Sequence, residues 1–131
     1  MHLIIDGYSN SQEIMKDEKF IYDLLNSYPA KIGMTKIAGP HVFKYVGAKP
    51  EDWGISGIVF IAESHISFHT FVERSYINID IFSCSDFNAQ QVINDLIYQF
   101  QLTKFISNLV NRDWTPDELQ NADQISPIHS I

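Results

Sequence analysis

The sequence has a single cysteine, Cys84, and only 9 basic residues against 16 acidic ones. A lone cysteine cannot form a disulfide within the chain, so Cys84 is either an inert core residue or a functional thiol. The net charge of −7 argues against a nucleic-acid-binding protein, because such proteins need basic surfaces to neutralise phosphates. The acidic balance does allow a cationic substrate.

Long hydrophobic runs are also missing from the sequence. No stretch approaches the roughly 20 apolar residues that a membrane span requires, and the N-terminal residues MHLIID lack the layout of a signal peptide. We therefore expect a cytoplasmic protein with no membrane contact. Hydrophobic residues make up 45% of the 131 residues, which is enough to fill one core, so residues 1–131 are predicted to form a single domain.

Two segments have apolar residues at helical spacing. The first covers residues 11–28 and should end at Pro29, although Asp17 is an alternative starting residue. The second covers residues 88–101 and begins with Asn88 as its N-cap. The apolar stripe of this second helix consists of Val92, Ile93, Leu96, Ile97 and Phe100.

Six further segments are predicted to be strands: 2–8, 34–45, 55–63, 64–71, 76–83 and 104–111. The short turns between neighbouring strands favour an antiparallel sheet. Two amphipathic helices can cover one face of that sheet, which gives an α+β fold, a two-layer α/β sandwich. Polar residues on the other face need water or a partner chain, so we expect a homodimer. Residues 113–131 show no clear period and are expected to form a loosely attached tail.

Polar residues cluster where two of the apolar strands should meet. Residues 61–70 read IAESHISFHT. One interpretation is an ordinary solvated strand face, since such alternation is typical of a half-exposed antiparallel sheet. We expect no metal site, because His65 and His69 are not accompanied by a cluster of further Cys or His ligands.

Two motifs resemble those of the prokaryotic S-adenosylmethionine decarboxylase proenzyme family. Residues 63–70 read ESHISFHT and residues 79–84 read IDIFSC. The family has a Glu-Ser-His-x-x-x-His-Thr motif, followed at this distance by a motif of the type Asp-x-Phe-x-Cys. The resemblance extends over residues 2–112. It implies a decarboxylase of S-adenosylmethionine that serves polyamine (spermidine) synthesis and is made as a proenzyme.

The resemblance also implies a role for individual residues. The chain should cut itself between Glu63 and Ser64, because the Ser64 hydroxyl attacks the Glu63 carbonyl. Ser64 then becomes a pyruvoyl cofactor, which forms a Schiff base with the substrate amine. His69 is implied as the base of this processing, with Ser56 assisting. Cys84 is implied as the later proton donor to the substrate, a task that suits a thiol with a reference pKa of about 8.5.

Substrate contacts follow from the same resemblance. Glu73 matches a glutamate that should hold the ribose hydroxyls, although a turn residue in water is an equal interpretation, and Phe71 stands where the family usually has Trp. Trp53, Phe43 and Tyr45 are further candidates for stacking on adenine. Because the departures from the family pattern lie in this region, two alternatives stay open: a pyruvoyl-dependent arginine or ornithine decarboxylase, and a non-catalytic α/β binding module that kept the fold.

Overall fold

The computed structural model describes residues 1–123. The strands are β1 (His2–Ser9), β2 (Lys36–Val46), β3 (Trp53–Ile61), β4 (Ser64–Phe71), β5 (Tyr76–Phe82) and β6 (Leu102–Val110). The helices are α1 (Gln12–Met15), α2 (Glu18–Lys31), α3 (Ala89–Phe100) and α4 (Pro116–Gln120), and a 3₁₀ turn spans Val72–Arg74. The end of the predicted tail, residues 124–131, lies outside the described residues. Within residues 1–123, no helix has the length and apolar character to cross a bilayer.

The strands form one six-stranded sheet with the order β2-β3-β4-β5-β1-β6. All five neighbouring pairs are antiparallel. Strands β2 to β5 follow one another as a meander, whereas β1 lies between β5 and β6. The predicted antiparallel sheet is therefore confirmed.

Both long helices cover the same face of this sheet. The alternation in β5 is strict, and Ile77, Ile79 and Ile81 are fully buried towards the helices. The residues that meet them from α2 and α3 are Ile21, Leu25, Val92, Leu96 and Phe100. Burying each such side chain stabilises the fold by about 1.5–3 kcal/mol. The predicted two-layer sandwich is confirmed, but Ile97, at the margin of the α3 stripe, is only half-buried.

The first helical segment differs from its prediction in two ways. It is split into α1 and α2, and the Asp17 side chain caps α2 by accepting a hydrogen bond from the backbone N–H of Phe20 (3.0 Å). The expectation that Pro29 ends the helix was wrong, since α2 continues to Lys31. Proline has a helical φ and loses only one hydrogen bond near a helix end. The chain leaves the helix at Gly33, whose φ of 75° favours glycine.

In the part of the chain that the structure describes, no helix covers the other face of the sheet, and we call it the uncovered face. In β4, Ile66 and Phe68 are fully buried in the core, so the strand period places His65, Ser67 and His69 on the uncovered face. The register of the neighbouring strands adds further residues to this face: His41, Phe43, Tyr45, Ser56, Ile58, Asn78, Asp80 and Asp6.

Candidate active site

The candidate cleavage site lies at the tight turn between β3 and β4. The turn residue Glu63 has a φ of 58°, in the left-handed region that residues with a Cβ rarely adopt. Holding such a residue there costs about 1–2 kcal/mol. Ser64 follows directly as the first residue of β4. The bond between Glu63 and Ser64 is thus joined to a strained residue at the end of the sheet.

Cys84 lies opposite this turn, just beyond the end of β5. The pairing of His65 with Phe82 continues outward and brings Cys84 beside Glu63. The backbone N–H of Cys84 donates to Ser64 Oγ (3.0 Å), and the Cys84 thiol donates to the carbonyl oxygen of Glu63 (3.1 Å). Ser64 is buried, whereas Cys84 is exposed. The structure therefore brings together the three residues expected at the cleavage site.

A second pair of candidate residues lies further along the same strands. Ser56 and His69 are directly opposite in the β3–β4 ladder, and Ser56 Oγ is 2.8 Å from His69 Nδ1. His69 is exposed on the uncovered face. This hydrogen bond at Nδ1 fixes the orientation of the imidazole, and the tautomer decides whether Nδ1 or the Ser56 hydroxyl donates.

Within one chain, the Ser64–Cys84 pair lies far from the Ser56–His69 pair. His69 follows Ser64 by five strand positions, which is roughly 16 Å at about 3.3 Å per residue. An odd number of positions also places the two side chains on opposite faces of the sheet. Of the residues with a role implied by the resemblance, Cys84 therefore reaches Ser64 within a single chain, and His69 does not.

A cleft of about 500 Å³ opens beside the Ser56–His69 pair. Tyr45, Trp53 and Phe71 form its aromatic wall. Phe43 lies outside this cleft and lines a smaller depression on the uncovered face. Glu73 is the exposed middle residue of the 3₁₀ turn, and one of its carboxylate oxygens accepts a hydrogen bond from the indole N–H of Trp53 (3.1 Å).

Known proteins are similar to this chain over most of its length. The family model described as S-adenosylmethionine decarboxylase matches residues 1–113. The chain belongs to the S-adenosylmethionine decarboxylase family. Among similar proteins, the S-adenosylmethionine decarboxylase proenzyme of Archaeoglobus fulgidus is 34% identical over 85 residues, which are 65% of this chain and 70% of that protein. The proenzyme of Clostridium kluyveri is 29% identical over 112 residues, 85% of this chain and 84% of the relative.

Some relatives are longer than the region they share with this chain. The proenzyme of Pyrococcus furiosus is 29% identical over 85 residues, and the match spans only 57% of its length. A solved structure shares the fold: the crystal structure of the adenosylmethionine decarboxylase from Aquifex aeolicus aligns with a TM-score of 0.67 at 22% identity, covering 87% of this chain and 94% of that one. The relatives' description as proenzymes is consistent with self-processing.

Two residues beside the candidate active site were not singled out from the sequence. A Cβ at Gly54 would lie 1.6 Å from the carbonyl oxygen of Thr70, so only glycine fits there. The Thr70 hydroxyl donates to the carbonyl of Met15 (2.8 Å) and accepts from the N–H of Ile55 (2.9 Å). These contacts fix β4 next to His69. The available signal was the threonine that ends the ESHISFHT motif.

His65 is the ionisable residue next to Ser64 on the uncovered face. Burial lowers the pKa of His65, and the neighbouring charges of His2 and Arg112 lower it further, while Asp80 opposes them. The ring packs against Phe82, with 5.6 Å between centroids. His65 is therefore neutral at neutral pH, which makes it a hydrogen-bonding group without a charge beside the cleavage site.

Proposed function

We propose that this chain is a self-processing, pyruvoyl-dependent decarboxylase that converts S-adenosylmethionine to its decarboxylated form and CO₂ for spermidine synthesis. The observation that carries this proposal is the 3.1 Å contact of the Cys84 thiol with the Glu63 carbonyl, beside the buried Ser64 hydroxyl. A solvated strand face offers no reason for this contact. A cytoplasmic location belongs to the proposal, because a free thiol suits a reducing compartment.

Processing begins with the attack of Ser64 Oγ on the carbonyl carbon of Glu63. The new C–O bond replaces the C–N bond, so the amide becomes an ester and the hydroxyl proton passes to the freed amine. The carbonyl oxygen becomes negative on the way, and the Cys84 thiol already donates to it, which stabilises the developing charge. Breaking the peptide bond also releases the left-handed constraint at Glu63.

Elimination follows when a base removes the α-proton of residue 64. The ester C–O bond then breaks, which leaves a carboxylate on Glu63 and a dehydroalanine at residue 64. Addition of water releases ammonia and completes the pyruvoyl group. His69 is the proposed base. Its Nδ1 contacts Ser56 Oγ, and in the tautomer with the proton on Nδ1 the Nε2 lone pair accepts the α-proton.

A second copy of the chain is the proposed source of that base. The uncovered face presents the Ser56–His69 pair to solvent, and Phe43, Tyr45 and Ile106 are all more than half exposed on it. When two such faces pack with their strands running in opposite directions, the Ser64 end of β4 lies over the partner's His69. Packed sheets are about 10 Å apart. The Ser64 side chain points to the helix-covered face, so the partner's imidazole approaches the backbone of residue 64, whose α-proton it removes. We therefore propose a homodimer whose sites combine Ser64 and Cys84 of one chain with Ser56 and His69 of the other.

The residues at this site fit the cofactor and the turnover. The Ser64 hydroxyl accepts a hydrogen bond from the Cys84 N–H, and the Cys84 thiol donates to the adjoining Glu63 carbonyl. The pyruvoyl group supplies a ketone that takes the substrate amine and withdraws the electrons left by departing CO₂. Cys84 is the proposed proton donor to the α-carbon. The aromatic wall of the cleft suits adenine and the sulfonium charge, and Glu73 suits the ribose hydroxyls.

The substrate is tested by measuring release of labelled CO₂ from carboxyl-labelled S-adenosylmethionine, arginine and ornithine. We expect release from S-adenosylmethionine alone, with none from the Ser64→Ala variant. Release from arginine or ornithine instead would replace the substrate assignment while keeping the chemistry. Cleavage without CO₂ from any of the three would contradict decarboxylation of these substrates, and an uncut chain would favour a binding module.

A further inference from the structure

Asp52 precedes β3 and Trp53 begins it. These two residues contact Arg74 and Glu73, which are neighbours in the 3₁₀ turn. Arg74 Nη2 lies 2.7 Å from Asp52 Oδ1, and the indole N–H of Trp53 donates to Glu73 Oε1 at 3.1 Å. Asp52, Trp53 and Arg74 all line the cleft that contains His69. We call these two contacts the double clamp.

The double clamp is held in place from both sides. The Lys44 ammonium lies over the Trp53 ring, 4.9 Å from its centroid, which fixes the plane of the indole. The Gln12 side chain donates to the carbonyl of Val72 (3.1 Å), which anchors the 3₁₀ turn to α1. Glu73 itself is exposed, and an unanchored exposed carboxylate would rotate freely. The indole N–H is the contact that limits this rotation.

We propose that Trp53 is a positioning residue for nucleoside binding, which fixes Glu73 so that its carboxylate receives the cis-diol of a ribose in the cleft. The inference rests on the proposed function. A carboxylate has about four lone-pair sites, and the indole N–H occupies one of them. The remaining sites accept two hydroxyl groups at a fixed orientation. The ligand is accordingly a nucleoside with an intact diol, and the Asp52–Arg74 ion pair joins the same two segments of the chain.

The first test replaces Trp53 by Phe, which keeps a ring under Lys44 and removes the N–H. The matched control is Trp114→Phe, because Trp114 is exposed in the tail. We expect self-cleavage to continue, KM for S-adenosylmethionine to rise about tenfold and kcat to stay within about threefold. Discrimination against a 2′-deoxy analogue should fall in Trp53→Phe alone. Equal discrimination in Trp53→Phe and in the control would overturn the inference.

The second test leaves Trp53 unchanged. The chain has two tryptophans, so Trp114→Phe makes Trp53 the sole source of indole fluorescence. Adding 5′-methylthioadenosine should change the emission, with the same midpoint as binding measured by equilibrium dialysis. Bound nucleoside with unchanged emission, or no binding at millimolar nucleoside, would overturn the inference. The measurement also works in a Ser64→Ala background, so it is independent of whether the chain cleaves itself.

Discussion

Cleavage should be possible between two chains that are each unable to cut themselves. Within one chain, His69 lies five strand positions and roughly 16 Å along β4 from Ser64. A general base must come within about 3 Å of the group whose proton it removes. No rotamer of His69 covers the remaining distance to residue 64 of the same chain. Ser64→Ala therefore removes the hydroxyl nucleophile but keeps a working His69. His69→Ala keeps the nucleophile and loses the base.

The expected yields follow from the composition of the dimers. Each variant alone should process its own chain not at all (Ser64→Ala) or about 10²–10⁴ times more slowly than the unaltered protein (His69→Ala). When both are expressed together in equal amounts, random pairing gives about half of the His69→Ala chains a Ser64→Ala partner. About half of the His69→Ala chains should then be cut, and none of the Ser64→Ala chains.

The assay is co-expression of the two variants with different affinity tags, followed by capture through each tag and a denaturing gel. Co-capture of both tags shows that mixed dimers form. Mixed dimers in which the His69→Ala chain stays intact would refute the proposed sharing of the site. Rapid cleavage of His69→Ala expressed alone would refute the role of His69 itself.

Three further predictions concern single residues. Cys84→Ala should still cleave, but more slowly, because the donor to the Glu63 carbonyl is lost, and CO₂ release should fall about 10²–10⁴-fold; full and lasting activity would return Cys84 to a structural role. Gly54→Ala should lower the free energy of unfolding by about 1–3 kcal/mol, because its Cβ meets the Thr70 carbonyl oxygen, and an unchanged urea midpoint would contradict this. The lowered pKa of His65 means that the folded chain binds fewer protons than the unfolded one, so stability should be lost as the pH falls below about 6.5. Urea midpoints measured between pH 7 and pH 5 should therefore fall less in His65→Gln than in the unaltered protein; parallel curves would contradict this.

Local patterns in the sequence were sufficient for most of the fold. The alternation of Ile77, Ile79 and Ile81 defined the buried face of β5, and the Asp17 and Asn88 caps marked helix starts that the structure confirms. The continuation of α2 past Pro29 was missed because tertiary packing outweighs one lost hydrogen bond. The position of β1 between β5 and β6 depends on pairing between residues far apart in the sequence, which local periodicity does not contain.

The candidate site was predictable in its residues but not in its geometry. The resemblance supplied Glu63, Ser64 and Cys84, and the structure brings them together. The separation of His69 from Ser64 follows from the strand period once β4 is known, since an odd offset reverses the face. The contact of Trp53 with Glu73 joins residues 20 positions apart through a turn whose shape no motif encodes.

The most direct test of the account is a mass spectrum of the purified, unaltered protein beside Ser64→Ala. The account predicts two chains from the unaltered protein, residues 1–63 and residues 64–131, the second with a pyruvoyl group in place of a free N-terminal amine. Ser64→Ala should give one intact chain. A single unprocessed chain with serine at residue 64, or the same two fragments from Ser64→Ala, would contradict self-cleavage at this bond.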